Sequence, residues 1–402
     1  MKICLISPSL VKTPPPLGGA TETFTFELGL GLAELNNEVQ IITRDGLSEK
    51  SRVKSNLTIQ TLKIPRNALI RGLVYNSKIL KNLLKQKPVH VIHTQGTAVF
   101  PSAYIASKVL KIPIIHTEHV YYPWISTPFI TFEKKIKVPL ELALAKFTIN
   151  KADKITVANE FLKNAIEMAN PNISAKFEII PQGINSDIFN FNVDPSYIRK
   201  KYNIANDQKI ISYVGRIAPE KNVMALIKAF LGLRQEYNNL TLLLVGPTAR
   251  KFPTNHQTRK FSRYYKKLRD WIQKRGLIDS VIFTGAVPYK IMPNIHAGCN
   301  LIVQPSPIET FGRAIFEAAA VGVPFVCSQG GGKIPDYLPE ASGIFIREMT
   351  FSQIQSAIKN ILSNEAKYKN AGRTAAKIIS ERYNWVEIAK RYLKIYESLI
   401  KN

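Results

Sequence analysis

The sequence predicts an α/β protein of two domains, each built on a parallel sheet. Short β-branched runs alternate with longer amphipathic patterns along all 402 residues, which predicts parallel strands joined by right-handed helical crossovers. Several runs are apolar at consecutive positions, as is typical of strands buried on both faces of a sheet. The order of strand, glycine-bearing turn and helix that opens the chain starts again in its second half, so we predict two similar domains.

The individual elements follow from these runs. The first helix is predicted from Phe24, Leu28, Leu32 and Leu35, which share one face at three- and four-residue spacing. The predicted strands are KICLIS, VQIIT, HVIHT, PIIHT and KITVA in the first half, and KIISYVG, LTLLLVG, SVIFTG, NLIVQP and PFVCS in the second.

The domain boundary is predicted near Gly183, in a segment whose Pro, Gly and Asn content is typical of a linker. Residues 1–183 then form an N-terminal domain and residues 184–384 a C-terminal one. A last helix, at about residues 385–402, follows the second sheet, and we expect it to pack back on the N-terminal domain.

Basic residues are in large excess, with 55 Lys+Arg against 29 Asp+Glu and a formal charge of +26. Such an excess favours nucleic acid, an anionic membrane surface or phosphorylated substrates as partners. The cations are dense in residues 63–87 and 250–275. In the second cluster they interleave with aromatic residues, as a nucleic-acid-binding face would require.

The sequence also indicates a compartment. It has no run of about 20 apolar residues and no signal peptide at its N-terminus, so we expect no membrane span. Cys4, Cys299 and Cys327 have no zinc-like spacing, and we interpret them as buried thiols in a reducing compartment. These features predict a cytoplasmic protein, with peripheral attachment to the membrane left open.

The segment PIETFGRAIFEAAAVGVP carries the strongest functional pattern. It follows a predicted strand, and we expect a helix to begin near Gly312 with its N-terminus at the carboxyl edge of the sheet, where α/β proteins bind ligands. A helix N-terminus among small residues suits a phosphate. Glu309 and Glu317 would flank it, roughly 8 to 12 Å apart, although a dipole-favoured acid and an incidental helix residue would give the same pattern.

A second pattern, GRIAPEKN, follows the strand that opens the second half. Arg216 and Lys221 flank its turn and would emerge at the same edge, where two cations could neutralise a diphosphate. A solvated surface pair is the alternative.

The remaining glycines and histidines give weaker signals. The loop that ends in Gly18 and Gly19 permits close backbone approach to an anion, but it is not a GxGxxG fingerprint. The Gly-rich segment 330–333 is not a Walker motif and is interpreted as a turn. His93, His116 and His119 lie at predicted strand ends, where neutral imidazoles could bond sugar hydroxyls, although histidines that are satisfied inside the core would give the same pattern. No HxH, HExxH or Asp-x-Asp spacing supports a metal.

Taken together, these segments resemble the large retaining glycosyltransferase family 4, which has the GT-B fold of two Rossmann-like domains facing each other across a cleft. The resemblance covers nearly the whole chain. It rests on GGATETF, VIHT, HTEHVYY, IIPQGIN, YVGRIAPEKN, LLLVGP, VIFTGAVP, ETFGRAIFEAAAVGVP and YNWVEIAKRYLKIYE.

The resemblance implies transfer of a hexosyl unit from a UDP- or GDP-sugar to a glycan or lipid-linked acceptor at the cytosolic membrane face, with retention and without a metal or other cofactor. Each matching residue takes an implied role. Arg216 and Lys221 would bind the donor diphosphate. Glu309 would contact the donor sugar, and Glu317 would bind the ribose hydroxyls. Phe311 and Gly312 would offer backbone N–H groups beside the donor sugar, and Gly19 would lie near the phosphates. His119 would lie at the reaction centre with Glu309.

Some residues depart from the family pattern, and other functions stay open. Gln95 stands where many members have a second histidine, Gln182 replaces Asn in the linker, and Arg313 replaces an apolar residue after the FG. These departures leave the donor uncertain. The alternatives are another GT-B enzyme, such as a sugar-nucleotide epimerase, and a nucleic-acid-binding protein, for which no reading module is found.

Overall fold

The structure is a computed structural model of the chain. It describes residues 1–8, 11–16, 18–45, 49–65, 68–85, 88–119, 132–170, 173, 176–248, 255–330 and 337–401, with the backbone alone for 68–69, 132–140, 255–261 and 340. The chain divides into two compact units. The first consists of Met1–Gly183 with Tyr383–Asn402, and the second of Ile184–Arg382.

The first unit is built on an eight-stranded sheet in the order β3-β4-β2-β1-β5-β6-β7-β8. Neighbouring strands are parallel except for the antiparallel pair β3 and β4. The strands are β1 (Lys2–Ile6), β2 (Glu38–Asp45), β3 (Lys50–Lys54), β4 (Leu57–Lys63), β5 (Val91–Thr94), β6 (Ile114–Glu118), β7 (Lys154–Val157) and β8 (Phe177–Ile179). The helices are α1 (Ala20–Glu34), α2 (Ala68–Lys85), α3 (Phe100–Leu110), α4 (Phe132–Lys151), α5 (Glu160–Ala169) and the last helix, α13 (Trp385–Lys401).

Both faces of this sheet are covered, because side chains alternate along each strand. Cys4 and Ile6 point into a core that contains side chains of α2, α3 and α5. Ile3 and Leu5 point into the other core, formed with α1 and α13. Sequence periodicity therefore placed the first helix correctly.

The last helix lies in the first unit, where it packs on α1. A Cβ atom at Gly31 would be 2.5 Å from the carbonyl oxygen of Trp385, so glycine at this position lets the two helices approach. The Trp385 ring lies against Gly183, the last residue of the unit before the chain enters the second one.

The second unit has a six-stranded parallel sheet in the order β11-β10-β9-β12-β13-β14. Counted from its own first strand this is the order 3-2-1-4-5-6 of a Rossmann sheet. The strands are β9 (Lys209–Val214), β10 (Leu240–Val245), β11 (Val281–Gly285), β12 (Leu301–Gln304), β13 (Phe325–Ser328) and β14 (Gly343–Ile346). The helices are α6 (Tyr197–Tyr202), α7 (Val223–Leu233), α8 (Asn255–Lys274), α9 (Met292–Ala297), α10 (Arg313–Ala320), α11 (Phe351–Ser363) and α12 (Glu365–Arg382).

Among the residues that the structure describes, no helix combines the length and the apolar character that a membrane span needs. The three cysteines are buried and not disulfide-bonded, as predicted.

Candidate active site

The topology of the second unit defines where a ligand would bind. The chain leaves β9 towards β10 on one side and leaves β12 towards β13 on the other, so the carboxyl ends of β9 and β12 form the switch point of the sheet. Gln304, at the end of β12, donates a hydrogen bond of 2.6 Å to the carbonyl oxygen of Val214, at the end of β9. The two segments that the sequence singled out follow these two strands.

The turn after β9 is held by close backbone packing. Gly246 has φ of 144°, and a Cβ atom there would lie 1.8 Å from the carbonyl oxygen of Gly215. The Tyr213 hydroxyl donates a 2.7 Å hydrogen bond to the carbonyl oxygen of Arg216. Burial, and secondarily the Glu309 carboxylate, raise the pKa of Tyr213, so its hydroxyl stays protonated as the donor.

Lys221 and Glu309 meet at this edge. Lys221 ends a short 3₁₀ helix before α7, and its Nζ lies 2.6 Å from Glu309 Oε1. Their side chains are only 21% and 17% exposed. Because Lys221 follows β9 and Glu309 follows β12, the ion pair spans the switch point.

Arg216 is placed differently from Lys221. Its side chain is 46% exposed, and its Nη1 lies 3.4 Å from Glu220 Oε1. The structure thus places both predicted cations at the edge of the sheet but pairs them with different carboxylates.

The predicted helix begins where the sequence indicated. Gly312 is the N-cap residue of α10, with φ of 80° in the left-handed region, so a side chain there would be strained. Phe311 is buried and stacks on Phe316 at 4.3 Å between ring centroids. Since α10 follows β12 in a parallel sheet, its N-terminus and partial positive charge lie at the carboxyl edge.

Glu317 lies further along α10 in a buried ion cluster. Arg313 Nε donates to its Oε1 over 2.8 Å, and His296 Nε2 lies 3.5 Å from its Oε2. Burial favours a raised pKa for this carboxyl, but His296 and Arg313 outweigh burial and lower it. Arg313 also donates to the Tyr289 hydroxyl over 2.6 Å. Sequence reasoning noted Arg313 as a departure but missed His296 and Tyr289, which only tertiary packing brings to Glu317.

The first unit holds the three predicted histidines on the strands β5 and β6 or directly after them. His93 on β5 and His116 on β6 are fully buried, and His119 follows β6 against the ring of Phe24 at 4.7 Å. Burial lowers the pKa of His93 well below its ordinary value, and that of His119 to about 3. Both imidazoles are therefore neutral. His93 and His116 are fully buried, so for these two the expectation of bonding a sugar hydroxyl is wrong, and they are core residues.

Gly19 is the N-cap residue of α1. A Cβ atom at Gly19 would lie 2.9 Å from Glu22 Oε2, so glycine makes room for this carboxylate. Burial raises the pKa of Glu22. Glu22 was not among the residues that the sequence singled out. The predicted turn at 330–333 lies outside the described residues from Gly331 onwards.

Two aromatic residues of the second basic cluster, Tyr264 and Tyr265, are used in packing. Tyr264 accepts a hydrogen bond from the backbone N–H of Met224, and the Tyr265 ring contacts Phe283 edge-on at 5.0 Å. Among the described side chains of this cluster, these two are therefore engaged by the protein and do not form an open stacking platform for nucleobases. The cations Arg250 and Lys251, and the side chains of residues 255–261, lie outside the described part of the chain.

Comparison with known proteins identifies the class. The model "Glycosyl transferases group 1" matches residues 196–378, and the model "Glycosyltransferase Family 4" matches residues 18–188. The structure is similar to sucrose-phosphate synthase of Thermosynechococcus elongatus, with a TM-score of 0.81, 22% identity and coverage of 100% and 99% of the two chains. It is also similar to Anabaena HepE in complex with UDP-glucose, with a TM-score of 0.75, 19% identity and coverage of 99% and 100%. Two Rossmann-like domains of this kind define the GT-B class of glycosyltransferases.

Among curated proteins, the chain is 25% identical to lipopolysaccharide 1,2-N-acetylglucosaminetransferase of Salmonella typhimurium over 403 residues, 97% of each chain. The chain belongs to glycosyltransferase family 4. It is a glycosyltransferase that uses a sugar-nucleotide donor.

Proposed function

We propose that the protein transfers a hexosyl unit from a UDP- or GDP-sugar to a glycan or lipid-linked saccharide, with retention of configuration and without a metal ion, at the cytosolic face of the membrane. The observation that carries the proposal is the Lys221–Glu309 ion pair, 2.6 Å long, beside the N-terminus of α10 at the switch point. The Salmonella relative, whose name describes transfer of N-acetylglucosamine to lipopolysaccharide, supports this class of donor and acceptor.

The charges of the site match a nucleoside diphosphate. As the bond between sugar and phosphate breaks, negative charge grows on the phosphate, and fixed positive groups stabilise it. Lys221 and the N-terminus of α10 supply these groups. Arg216 adds another, because an exposed pair such as Arg216–Glu220 contributes under about 1 kcal/mol and exchanges readily for a phosphate. These protein charges take the part that a metal ion would play, which is why we propose metal-independent transfer.

The carboxylates and the histidine have separate parts in this proposal. Glu309 accepts hydrogen bonds from the donor sugar, and Glu317 binds the ribose. His119, a neutral imidazole, bonds the donor sugar at the reaction centre. The acceptor hydroxyl attacks from the face on which the phosphate leaves, so the departing phosphate takes its proton and the configuration is retained.

Incubation with labelled UDP- and GDP-sugars and candidate acceptors tests the reaction. NMR of the product's anomeric centre should show the configuration of the donor, and activity should persist in excess EDTA. Inverted product would contradict retention, and activity lost in EDTA and restored by a divalent cation would contradict metal independence. Epimerisation without an acceptor would exclude the transferase.

We propose that α2 docks the first unit on an anionic membrane. Its outward stripe contains three apolar side chains, Ile70, Leu73 and Leu84, which are 47%, 75% and 42% exposed. Lys81 and Lys85 are exposed beside them. Apolar side chains flanked by lysines are typical of helices that lie in a membrane interface, and each such cation contributes about 1 kcal/mol near an anionic surface.

Co-sedimentation tests this docking. Vesicles of phosphatidylglycerol should bind the protein and vesicles of phosphatidylcholine should not. Leu73→Ser should weaken binding, whereas Ile278→Ser, at a similarly exposed side chain of the second unit, should not. Equal binding to both lipids, or equal effects of the two substitutions, would contradict the proposal.

A further inference from the structure

A buried chain of hydrogen bonds joins the last helix to His119. The Tyr396 hydroxyl on α13 lies 2.7 Å from His93 Nδ1, and His93 Nε2 lies 3.0 Å from the Gln95 amide nitrogen. The Gln95 amide oxygen in turn lies 2.9 Å from His119 Nε2. Tyr396, His93 and Gln95 are at most 1% exposed, so water does not compete for these bonds.

The amide of Gln95 gives the chain a direction. An amide nitrogen only donates and an amide oxygen only accepts. His119 Nε2 must therefore carry a proton to donate to Gln95, and its lone pair is on Nδ1. His93 Nε2 must carry a lone pair to accept from Gln95, so its proton is on Nδ1 and is donated to Tyr396.

The tautomers of the two histidines are coupled through this amide. Turning the amide over would reverse every bond together, so that His93 would be protonated on Nε2 and His119 on Nδ1. A mixed state would leave a buried donor facing a donor, which costs about 1–3 kcal/mol. The Thr117 hydroxyl, 2.6 Å from His93 Nε2, can donate or accept and so fits either direction.

We infer that Gln95 is a positioning residue, which fixes His119 with its proton on Nε2 and its acceptor, Nδ1, available to a hydroxyl of the bound sugar. This inference rests on the proposed function for the part of His119 in transfer. The coupling of the two tautomers does not depend on it.

Other titratable groups surround His119. His116 lies on β6 with its Nε2 3.7 Å from Glu118 Oε2, and Glu118 Oε1 accepts a hydrogen bond from the backbone N–H of His119. The helix α1 contributes the ring of Phe24. From α13 the ionisable groups are Tyr392 and Tyr396, whose pKa values burial raises, so both remain neutral.

Nitrogen NMR of histidine-labelled protein tests the coupling directly, and the chain has only six histidines to resolve. The His119 signal, identified by its loss in His119→Asn, should show a proton on Nε2. It should not titrate between about pH 5 and pH 8. A proton on Nδ1 in the unaltered protein would overturn the inference.

Gln95→Glu tests the amide. The carboxylate removes the donor to His93 and places a negative charge beside His119, which should raise the pKa of His119 by about 1 to 3 pH units. The kcat should then fall as the pH is lowered from 7 to about 4, more steeply than in the unaltered protein or in Gln353→Glu, which adds the same charge at an exposed residue. Unchanged titration of His119 in Gln95→Glu would overturn the inference.

Two buried tyrosines of α13 provide a matched pair. Tyr396→Phe leaves the proton on His93 Nδ1 without an acceptor. The direction of the hydrogen bonds from His93 to His119 should therefore reverse, and His119 should become protonated on Nδ1. Tyr392→Phe removes a hydroxyl that bonds Thr156 at 3.4 Å instead, and the His119 tautomer should not change. Equal effects of the two substitutions would refute the relay. If the NMR results hold but Gln95→Glu and His119→Asn leave kcat unchanged, the part of His119 in the proposed function fails and the coupling stands.

Discussion

Replacement of Lys221 by alanine separates the donor site from an ordinary ion pair. In the structure the ammonium group is bound to Glu309 and is largely buried. When a nucleoside diphosphate binds, we expect Lys221 to make a charge-assisted hydrogen bond to it, which contributes about 1.5–3 kcal/mol. Lys221→Ala should therefore weaken UDP or GDP binding by about 10- to 150-fold, as measured by isothermal titration calorimetry at fixed salt.

The control and the double variant make this result interpretable. Lys228→Ala removes the same charge from an exposed position on α7 and should bind the nucleotide as the unaltered protein does. Lys221→Ala should also destabilise the second unit, because it leaves Glu309 without its cation, and Lys221→Ala with Glu309→Gln should recover that stability but not the affinity. Nucleotide binding by Lys221→Ala within twofold of Lys228→Ala would refute the reasoning.

Three further predictions concern stability. A strained φ alone costs about 1–3 kcal/mol. Gly246→Ala should lower the free energy of unfolding of the second unit by more than this, because the new Cβ would also lie 1.8 Å from the carbonyl oxygen of Gly215. Gly276→Ala is the control, because Gly276 has φ of 66° and open space around the new Cβ, so thermal unfolding of this variant measures the strain alone. Equal losses of stability in the two variants would contradict the prediction. The pKa of His93 is depressed in the folded protein, so unfolding takes up a proton at this residue below the unfolded pKa of about 6.5. The free energy of unfolding should therefore fall by about 1.4 kcal/mol for each pH unit below that value. Urea unfolding should show a shallower pH slope in His93→Gln, and an unchanged slope would count against the burial argument. Arg313 helps to depress the pKa of Glu317. This ion pair therefore stabilises the folded protein at pH values above the unfolded carboxyl pKa, and its contribution to stability decreases as the pH falls. Arg313→Met should therefore cost most stability, up to about 3–5 kcal/mol, near pH 7 and less near pH 4, and a pH-independent loss would argue against the ion pair.

The sequence predicted most inner strands of both sheets and the edge strand β11, but it missed β3, β4, β8 and β14, which lie at or next to the other edges. All the predicted runs form strands, and all except SVIFTG, which forms the partly buried edge strand β11, lie inside a sheet. The antiparallel edge strand β3 is exposed at every residue, so it has no apolar pattern to detect. The edge strands β8 and β14 have only three and four residues.

The candidate site was predictable to the extent that topology determines it. Lys221 and Glu309 were expected at one edge because each follows a buried strand, and the adjacency of β9 and β12 brings them into contact. Arg216 was expected beside Lys221, but its side chain is paired with Glu220, four residues along the chain, a local contact that the sequence pattern does not decide. His296 reaches Glu317 only because α9 packs on α10, which no local pattern reveals.

A crystal structure of the full chain with UDP or GDP bound tests the central claim most directly. The account predicts a phosphate oxygen within about 3 Å of Lys221 Nζ and of a backbone N–H at the start of α10, with the Lys221–Glu309 contact lengthened. A diphosphate bound away from the carboxyl ends of β9 and β12, with Lys221 still on Glu309, would contradict it.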